Sequence, residues 1–335
     1  VALEIAEVLL IEARAHDIPY LAAMHAVADD MFYWLPDPIS ISGRHLDLPE
    51  PDAAARAAAE DYIGDLLERQ YQPWYVRNLS GRYALKPLLA AMIKFFVWRR
   101  RANGRAFCYE SYEEDYRKRI DVYFRNLTLK YDTIDDIPPE REVIFYPLHQ
   151  EPEATLNYMS EFNANQVATI ENVLKCLSPN QVLVVKEHPV DKGSLLQKKF
   201  WNLRKSYSGL FFLPGETSSH QTLKRADRIV TLTSTVGWEA LNLGKPVYVL
   251  GQIFFDIAPG AEAVADWKQL RALLRQPVQQ PAGIDKEAAT QFVAGMLATC
   301  YRGNPLPHDG LYSDQNIGRI VDAVIDGAGL KKSEG

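Results

Sequence analysis

Three short stretches place chemically active groups directly after apolar runs. In FYPLHQEPEAT (145–155), the run VIFYPL gives way to His149, Gln150, Glu151 and Glu153. Two glutamates one residue apart can hold one ionised and one protonated carboxyl if burial separates their pKa values. One of them can then attack an anomeric carbon while the other serves as acid or base. The competing reading is a solvated acidic loop. The second stretch is Lys186-Glu187-His188-Pro189, after VLVV. Lysine and histidine can both meet a phosphate, and Pro189 keeps His188 out of helical conformation and at the rim. Taken alone it reads as a charged surface turn. The third is TLTSTVGWE (231–239). Unpaired N–H groups at a helix N-terminus attract phosphate. There Ser234 and Thr235 add hydroxyls, Gly237 lets a backbone approach, and Glu239, placed in the first helical turn, can accept from a ribose. An ordinary Ser/Thr cap with a capping box explains the same residues.

The elements that would position these groups follow a regular order. Strand-like runs VIFYPL, QVLVVKEHP, GLFFLPG, RIVTLTST and KPVYVLG alternate with helical patterns NQVATIENVLKCL, FWNLRKSY, SSHQTLKRA and GWEALNLG. Such alternation gives βαβ units and a parallel sheet. The runs VIFY, VLVV and VYVL lack polar alternation, as expected of strands covered on both faces. In open α/β sheets ligands bind outside the carboxyl ends of the strands. All three loaded stretches fall at such ends, and that convergence favours a site over three unrelated surface features.

Upstream, residues 1–15, 53–71 and 110–131 read as helices, IPYLAAMH as a short strand and LPDPISISG as a surface connection. The acidic, proline-containing DTIDDIPPERE (132–142) is the candidate domain boundary. The resulting division is 1–141, 142–310 and a C-terminal helical piece 311–335.

The 335 residues can bury a sizeable core and point to two domains. A net charge of −6 argues against a nucleic-acid partner. Three scattered cysteines, Cys108, Cys176 and Cys300, lack metal-ligand spacing and suit a reducing compartment. No apolar run approaches the ~20 residues that span a bilayer, and no signal peptide is visible, so the expectation is a cytoplasmic protein. The chain opens directly in a helical pattern without Met, as if an upstream piece preceded it.

The ordered set PLHQEPEAT, VVKEHP and TSTVGWEALNLGKPVYVLG resembles the bacterial capsule polysaccharide biosynthesis family, which includes the retaining β-Kdo glycosyltransferases of capsule and O-antigen assembly. The resemblance covers about 145–325, including YSDQNIGRIVDAVID, and fades over 1–130. It implies a GT-B fold, in which two Rossmann-like domains face a cleft. It implies a CMP-activated donor, CMP-Kdo, held by the C-terminal domain without a metal or other cofactor. Glu153 matches the position of the carboxylate nucleophile, where the family pattern leads one to expect Asp. Glu151 becomes a supporting acid/base or donor-orienting group. Lys186 and His188 face the CMP phosphate or the donor carboxylate. Gln150, Ser234, Thr235, Gly237 and Glu239 complete the donor site. The acceptor is a glycan, with a lipid-linked one and contact with the inner face of the inner membrane both admissible.

Two other functions fit the same residues: a sugar-nucleotide 2-epimerase of similar fold, and a non-catalytic component of polysaccharide assembly or export. KPLLAAMIKFFVWRRRANGR (86–105) is apolar first and cationic at its end. It reads as a core-facing helix with a solvated charged end, in preference to an amphipathic element on anionic lipid.

Overall fold

The computed structural model describes residues 2–26, 28, 30–35, 41–68, 89–90, 92–93, 96–97, 112–151, 154–189, 191–277, 286–305 and 310–330. Its centre is a parallel sheet of β3 (Glu142–Pro147), β4 (Gln181–Lys186), β5 (Leu210–Leu213), β6 (Arg228–Thr231), β7 (Val247–Val249) and β8 (Ala261–Ala263), in the spatial order β5-β4-β3-β6-β7-β8. Counted within the sheet, that is the 3-2-1-4-5-6 order of the doubly wound, Rossmann-like fold. The chain winds outward from β3 in one direction, then returns and winds outward from β6 in the other. The carboxyl ends of β3 and β6 therefore flank the crevice where the winding reverses.

Alternate residues of each strand enter opposite hydrophobic layers, which explains the unbroken apolar runs. Val143, Phe145, Val182, Val184, Ile229 and Val247 face one layer, while Ile144, Tyr146, Leu183, Val185, Val230 and Tyr248 face the other. The second layer is closed by α5 (Gln166–Cys176), α6 (Lys198–Ser206) and α9 (Trp267–Arg275) through Ile170, Val173, Phe200 and Leu270. The first is closed by α7 (Ser219–Arg225), α8 (Thr235–Asn242) and α10 (Lys286–Ala298), together with α2 (Ala53–Glu68) from the N-terminal part. Trp238 on α8 donates its indole N–H to the Tyr62 hydroxyl of α2 at 3.1 Å, which fixes α2 against the sheet domain. The short α4 (Ala154–Met159) follows β3.

Before β3 the chain forms α1 (Ala2–Ala15), an antiparallel pair β1 (Ala22–His25) and β2 (Met31–Leu35), then α2 and α3 (Tyr112–Thr128). One complete Rossmann-like domain of the expected pair is thus in view. Over 1–141 the described strands are antiparallel and do not form a second parallel sheet. The strand β2 lies just before the segment read as a surface connection, and its aromatic-rich MFYWL is the β signal passed over there. β9 (Tyr301–Arg302) leaves the large sheet and pairs with β2. The C-terminal α11 (Asp314–Gly327) lies on this small sheet: a Cβ on Gly327 would stand 2.5 Å from the Trp34 indole nitrogen, and the Tyr301 hydroxyl donates to Asp326 at 2.6 Å.

The core-facing reading of 86–105 is overturned where that segment is described. Residues 89–90, 92–93 and 96–97 are helical, and Leu89, Ile93, Phe96 and Val97 are 45, 61, 56 and 44 % exposed. Apolar periodicity marks one helical face and does not say what covers it. Among the described residues no helix is long and apolar enough to cross a membrane.

At the amino ends of the strands, remote from the site, Arg228 is 2 % exposed and paired. It donates to Glu142 at 2.7 Å, the Tyr248 hydroxyl at 3.0 Å and the Leu273 carbonyl at 2.7 Å, and also to the Gln276 carbonyl. Removing one member of a buried pair leaves the other charge uncompensated. Arg228→Ala should therefore cost about 3–5 kcal/mol in urea or guanidinium unfolding. A loss below about 1 kcal/mol, the range of exposed pairs, would contradict this account.

Candidate functional site

The strand order brings the three loaded ends together, because β4, β3 and β6 are neighbours. At the end of β3, His149 is buried, and its Nε2 accepts the backbone N–H of Thr233 at 3.3 Å. That bond joins the first stretch to the third across the reversal of the winding.

The loop after His149 is set by Gln166, the first residue of α5, which is fully buried. Its Oε1 accepts from the His149 N–H at 2.8 Å, and its Nε2 donates to the His149 carbonyl and to Glu151 Oε1, both at 3.0 Å. Lys199 on α6 closes an ion pair with the other oxygen of Glu151. Glu151 is thus held as an acceptor from two donors distant in sequence, a geometry that orients a group. Gln150 is half-buried beside it. Glu153, the expected nucleophile, lies outside the described residues, as does Pro152.

At the end of β4, Lys186 is 3 % exposed. Its Nζ donates to the carbonyls of Glu187 and Gly215, both at 3.3 Å, and among the described residues no carboxylate stands within salt-bridge distance. Burial pushes its pKa down to about 8, against the opposing pull of Glu187, Glu239 and Glu216. Glu239 faces it from α8, and burial pushes that carboxyl up to about 7, with Lys186 pulling the other way. Glu216 is itself paired with Lys192 at 2.7 Å. Half-buried His188 and Pro189 pass over the turn after β5, so close that a Cβ on Gly215 would lie 3.1 Å from the His188 carbonyl.

At the end of β6, Ser234 is the N-cap of α8, its hydroxyl accepting the Val236 N–H at 3.3 Å. Thr231 supports it by accepting the Ser234 N–H at 3.1 Å. Thr235 is the first helical residue and Gly237 the third, so no capping box forms, and Glu239 stands in the second turn rather than the first. Gly237 has a packing reason visible here. A Cβ would meet the buried Phe255 ring at 2.9 Å and Thr231 Cγ2 at 3.1 Å, on the core side of the helix. Among the described residues the buried hydroxyls of Ser160 and Thr233 have no hydrogen-bond partner.

Two participants carry no signal in the sequence: Gln166 sits in an ordinary helical pattern, and Lys199 lies just ahead of another. Glu187 was readable, since an acid next to a lysine at the end of a fully apolar strand must be buried with partners. Among the described residues no group of three or more His, Cys, Asp or Glu side chains could hold a metal ion.

Comparison with known proteins gives the following. Residues 98–271, just over half of the chain, match the family model described as capsule polysaccharide biosynthesis protein. The match reaches upstream of the motif-bearing stretches and stops before the YSDQNIGRIVDAVID segment. Over 124 residues the chain is 36% identical to Protein FixF of Sinorhizobium fredii (strain NBRC 101917 / NGR234), covering 37% of this chain and 28% of that protein. Matched segments therefore span little more than a quarter of that relative. A solved structure of Thermosulfurimonas dismutans KpsC, a β-Kdo 2,7 transferase, aligns over 93% of this chain and 82% of its own at 16% identity and TM-score 0.42. The UDP-GlcNAc 2-epimerase from Neisseria meningitidis bound to UDP-GlcNAc aligns over 71% and 58% at 15% identity and TM-score 0.34. Likenesses at these scores carry no argument about activity.

The raised carboxyl has a sign that can be tested. A glutamate titrating near 7 in the fold and near its ordinary 4.5 when unfolded binds more protons in the native state between those values. It therefore removes stability as pH rises from about 4.5 to 7. In thermal unfolding, Glu239→Gln should gain on the wild type across that window and hold a constant difference above it. A difference independent of pH would show that Glu239 titrates as an exposed acid.

Proposed function

The chain belongs to the capsule polysaccharide biosynthesis protein family, and from that premise we propose that it is a glycosyltransferase acting on a CMP-activated acidic sugar, Kdo, in surface polysaccharide synthesis. The observation that supports this most is the buried Lys186, which among the described residues lacks a direct carboxylate partner and feels the charge of Glu239 on α8. A buried ammonium is costly unless an anion meets it. A nucleotide phosphate is the anion that a strand-end crevice and a helix N-terminus also accommodate.

In this reading Lys186, His188 and the start of α8 bind the CMP phosphate and stabilise the charge that develops as it leaves. No metal is needed for that charge. Ser234 and Thr235 offer hydroxyls to the nucleotide, and Glu239 accepts from its ribose. Gln150 and Glu151 orient the sugar, Glu151 being pinned by Gln166 and Lys199. Kdo carries a carboxylate at its anomeric carbon, which gives the cationic rim a second role. Glu153 attacks that carbon, CMP departs with the bonding electron pair, and a glycan hydroxyl, giving its proton to Glu151, then displaces the Glu153 carboxylate with net retention.

The test is incubation with CMP-Kdo, following CMP release and intact-protein mass. The wild type should release CMP and gain the mass of one Kdo, and Glu153→Ala should gain none. Turnover undiminished in Glu153→Ala would remove the nucleophile. An inert wild type that isomerises a UDP-sugar would replace the whole reading with epimerisation.

A membrane-associated acceptor fits the exposed apolar face of Leu89, Ile93, Phe96 and Val97, which runs into Arg99, Arg100 and Arg101 in the sequence. We propose that this segment meets the anionic inner face of the cytoplasmic membrane. Sedimentation with liposomes containing phosphatidylglycerol should fall severalfold in the Arg99/Arg100/Arg101 triple-Ala variant, and more steeply in salt. Equal sedimentation of variant and wild type would contradict it.

A further inference from the structure

Glu187 stands next to Lys186 in the chain but its side chain goes elsewhere. It is 2 % exposed, and its carboxylate is surrounded by donors from three separate segments. Oε1 accepts the Leu195 N–H at 2.9 Å and the Ser194 hydroxyl at 3.5 Å, both in the loop that follows His188 and Pro189. Oε2 accepts the Gly215 N–H at 3.3 Å, in the turn after β5. The Tyr131 hydroxyl donates to Oε1 from the segment entering the domain. That segment is itself fixed to β5: Asp132 donates its N–H to the Phe212 carbonyl at 2.9 Å, its carboxylate accepts the Phe212 N–H at 2.7 Å, and it pairs with Arg204 at 3.1 Å.

Gly215 belongs to both halves of this arrangement. Its N–H goes to Glu187, and its carbonyl accepts Lys186 Nζ. The His188–Pro189 backbone packs against its Cα, and the Leu195 loop returns from the same two residues. One carboxylate therefore holds the two loops that frame Lys186 and His188, and ties both to the linker ahead of β3.

We propose that Glu187, held by Tyr131, is a positioning residue that sets the placement of Lys186 and His188 and couples it to the linker between the N-terminal part and the sheet domain. The proposal rests on the reading of Lys186 and His188 as donor-phosphate groups. Beyond a loop brace, the position has an electrostatic consequence. The charged groups acting on Lys186 are Glu187 from its own strand end, Glu239 from α8 and Glu216 from the turn after β5, the last neutralised in part by Lys192. Removing the charge at 187 leaves Glu239 as the main support for the protonated amine.

Two measurements on the full chain separate the positioning role from the donor reading. The first needs no ligand: NMR titration of Lys186 in protein carrying 15N in the lysine side chains. In Glu187→Gln the midpoint should fall by about one pH unit or more, the shift expected when an opposite charge within ~4–6 Å is removed. Glu187→Asp keeps the charge and should stay within half that change. The second is calorimetric binding of CMP. Affinity should drop at least tenfold in Glu187→Gln and a few-fold in Tyr131→Phe, which keeps every donor-site residue and removes only the hydroxyl that holds Glu187. A brace without functional consequence would lower the melting temperature and move neither quantity. Wild-type CMP affinity in both Glu187→Gln and Tyr131→Phe would overturn the proposal, whatever their stability. A shifted Lys186 midpoint in a protein whose wild type does not bind CMP would instead sustain the electrostatic link and remove the donor reading.

Discussion

A lysine ammonium buried at the end of a parallel strand is the constraint around which the site is arranged. Taking a charge out of water costs several kcal/mol even after relaxation, and Lys186 recovers little of that from two carbonyls at 3.3 Å. The surroundings are what keep it tolerable. Glu239 approaches from the next crossover, Glu216 from the turn after β5, and Glu187 contributes its field while spending its hydrogen bonds on backbone amides. The arrangement is close to balanced with no direct ion pair to Lys186 among the described residues, and perturbed pKa values of this kind cluster at functional sites.

The sheet order is what allows those groups to meet. Lys186, His149 and Thr233 are far apart in sequence, yet they come from three adjacent strands, and the His149–Thr233 bond spans the point where the winding reverses. The amino ends of the same strands carry an opposite solution, in which Arg228 pairs directly with Glu142 and donates further hydrogen bonds to Tyr248 and Leu273. The two buried cations thus differ in one respect: Arg228 has a direct carboxylate partner, and Lys186 has none among the described residues.

Much of this was legible before the fold was known, because parallel strands buried on both faces leave unbroken apolar runs and each run ended in polar chemistry. VIFY, VLVV and VYVL fixed the sheet, and the residues after the first two marked its functional edge. What stayed hidden has physical causes. The apolar face at 89–97 was periodic, but periodicity is the same for a buried and a largely exposed helix. Gly237 read as room for a ligand, whereas its missing Cβ makes room for Phe255 in the core. Gln166 and Tyr131 act through contacts with residues 17 and 56 positions away, and no local pattern encodes such a pairing. The antiparallel pairing of β2 with β9 is longer-range still.

The central claim is that Lys186 is the anchor for a nucleotide phosphate. A crystal structure of the chain with CMP tests it most directly. The account predicts a phosphate oxygen within about 3 Å of Lys186 Nζ, with His188 and the start of the helix from Thr235 turned toward the same group. CMP bound elsewhere, with Lys186 still donating only to the carbonyls of Glu187 and Gly215, would contradict it.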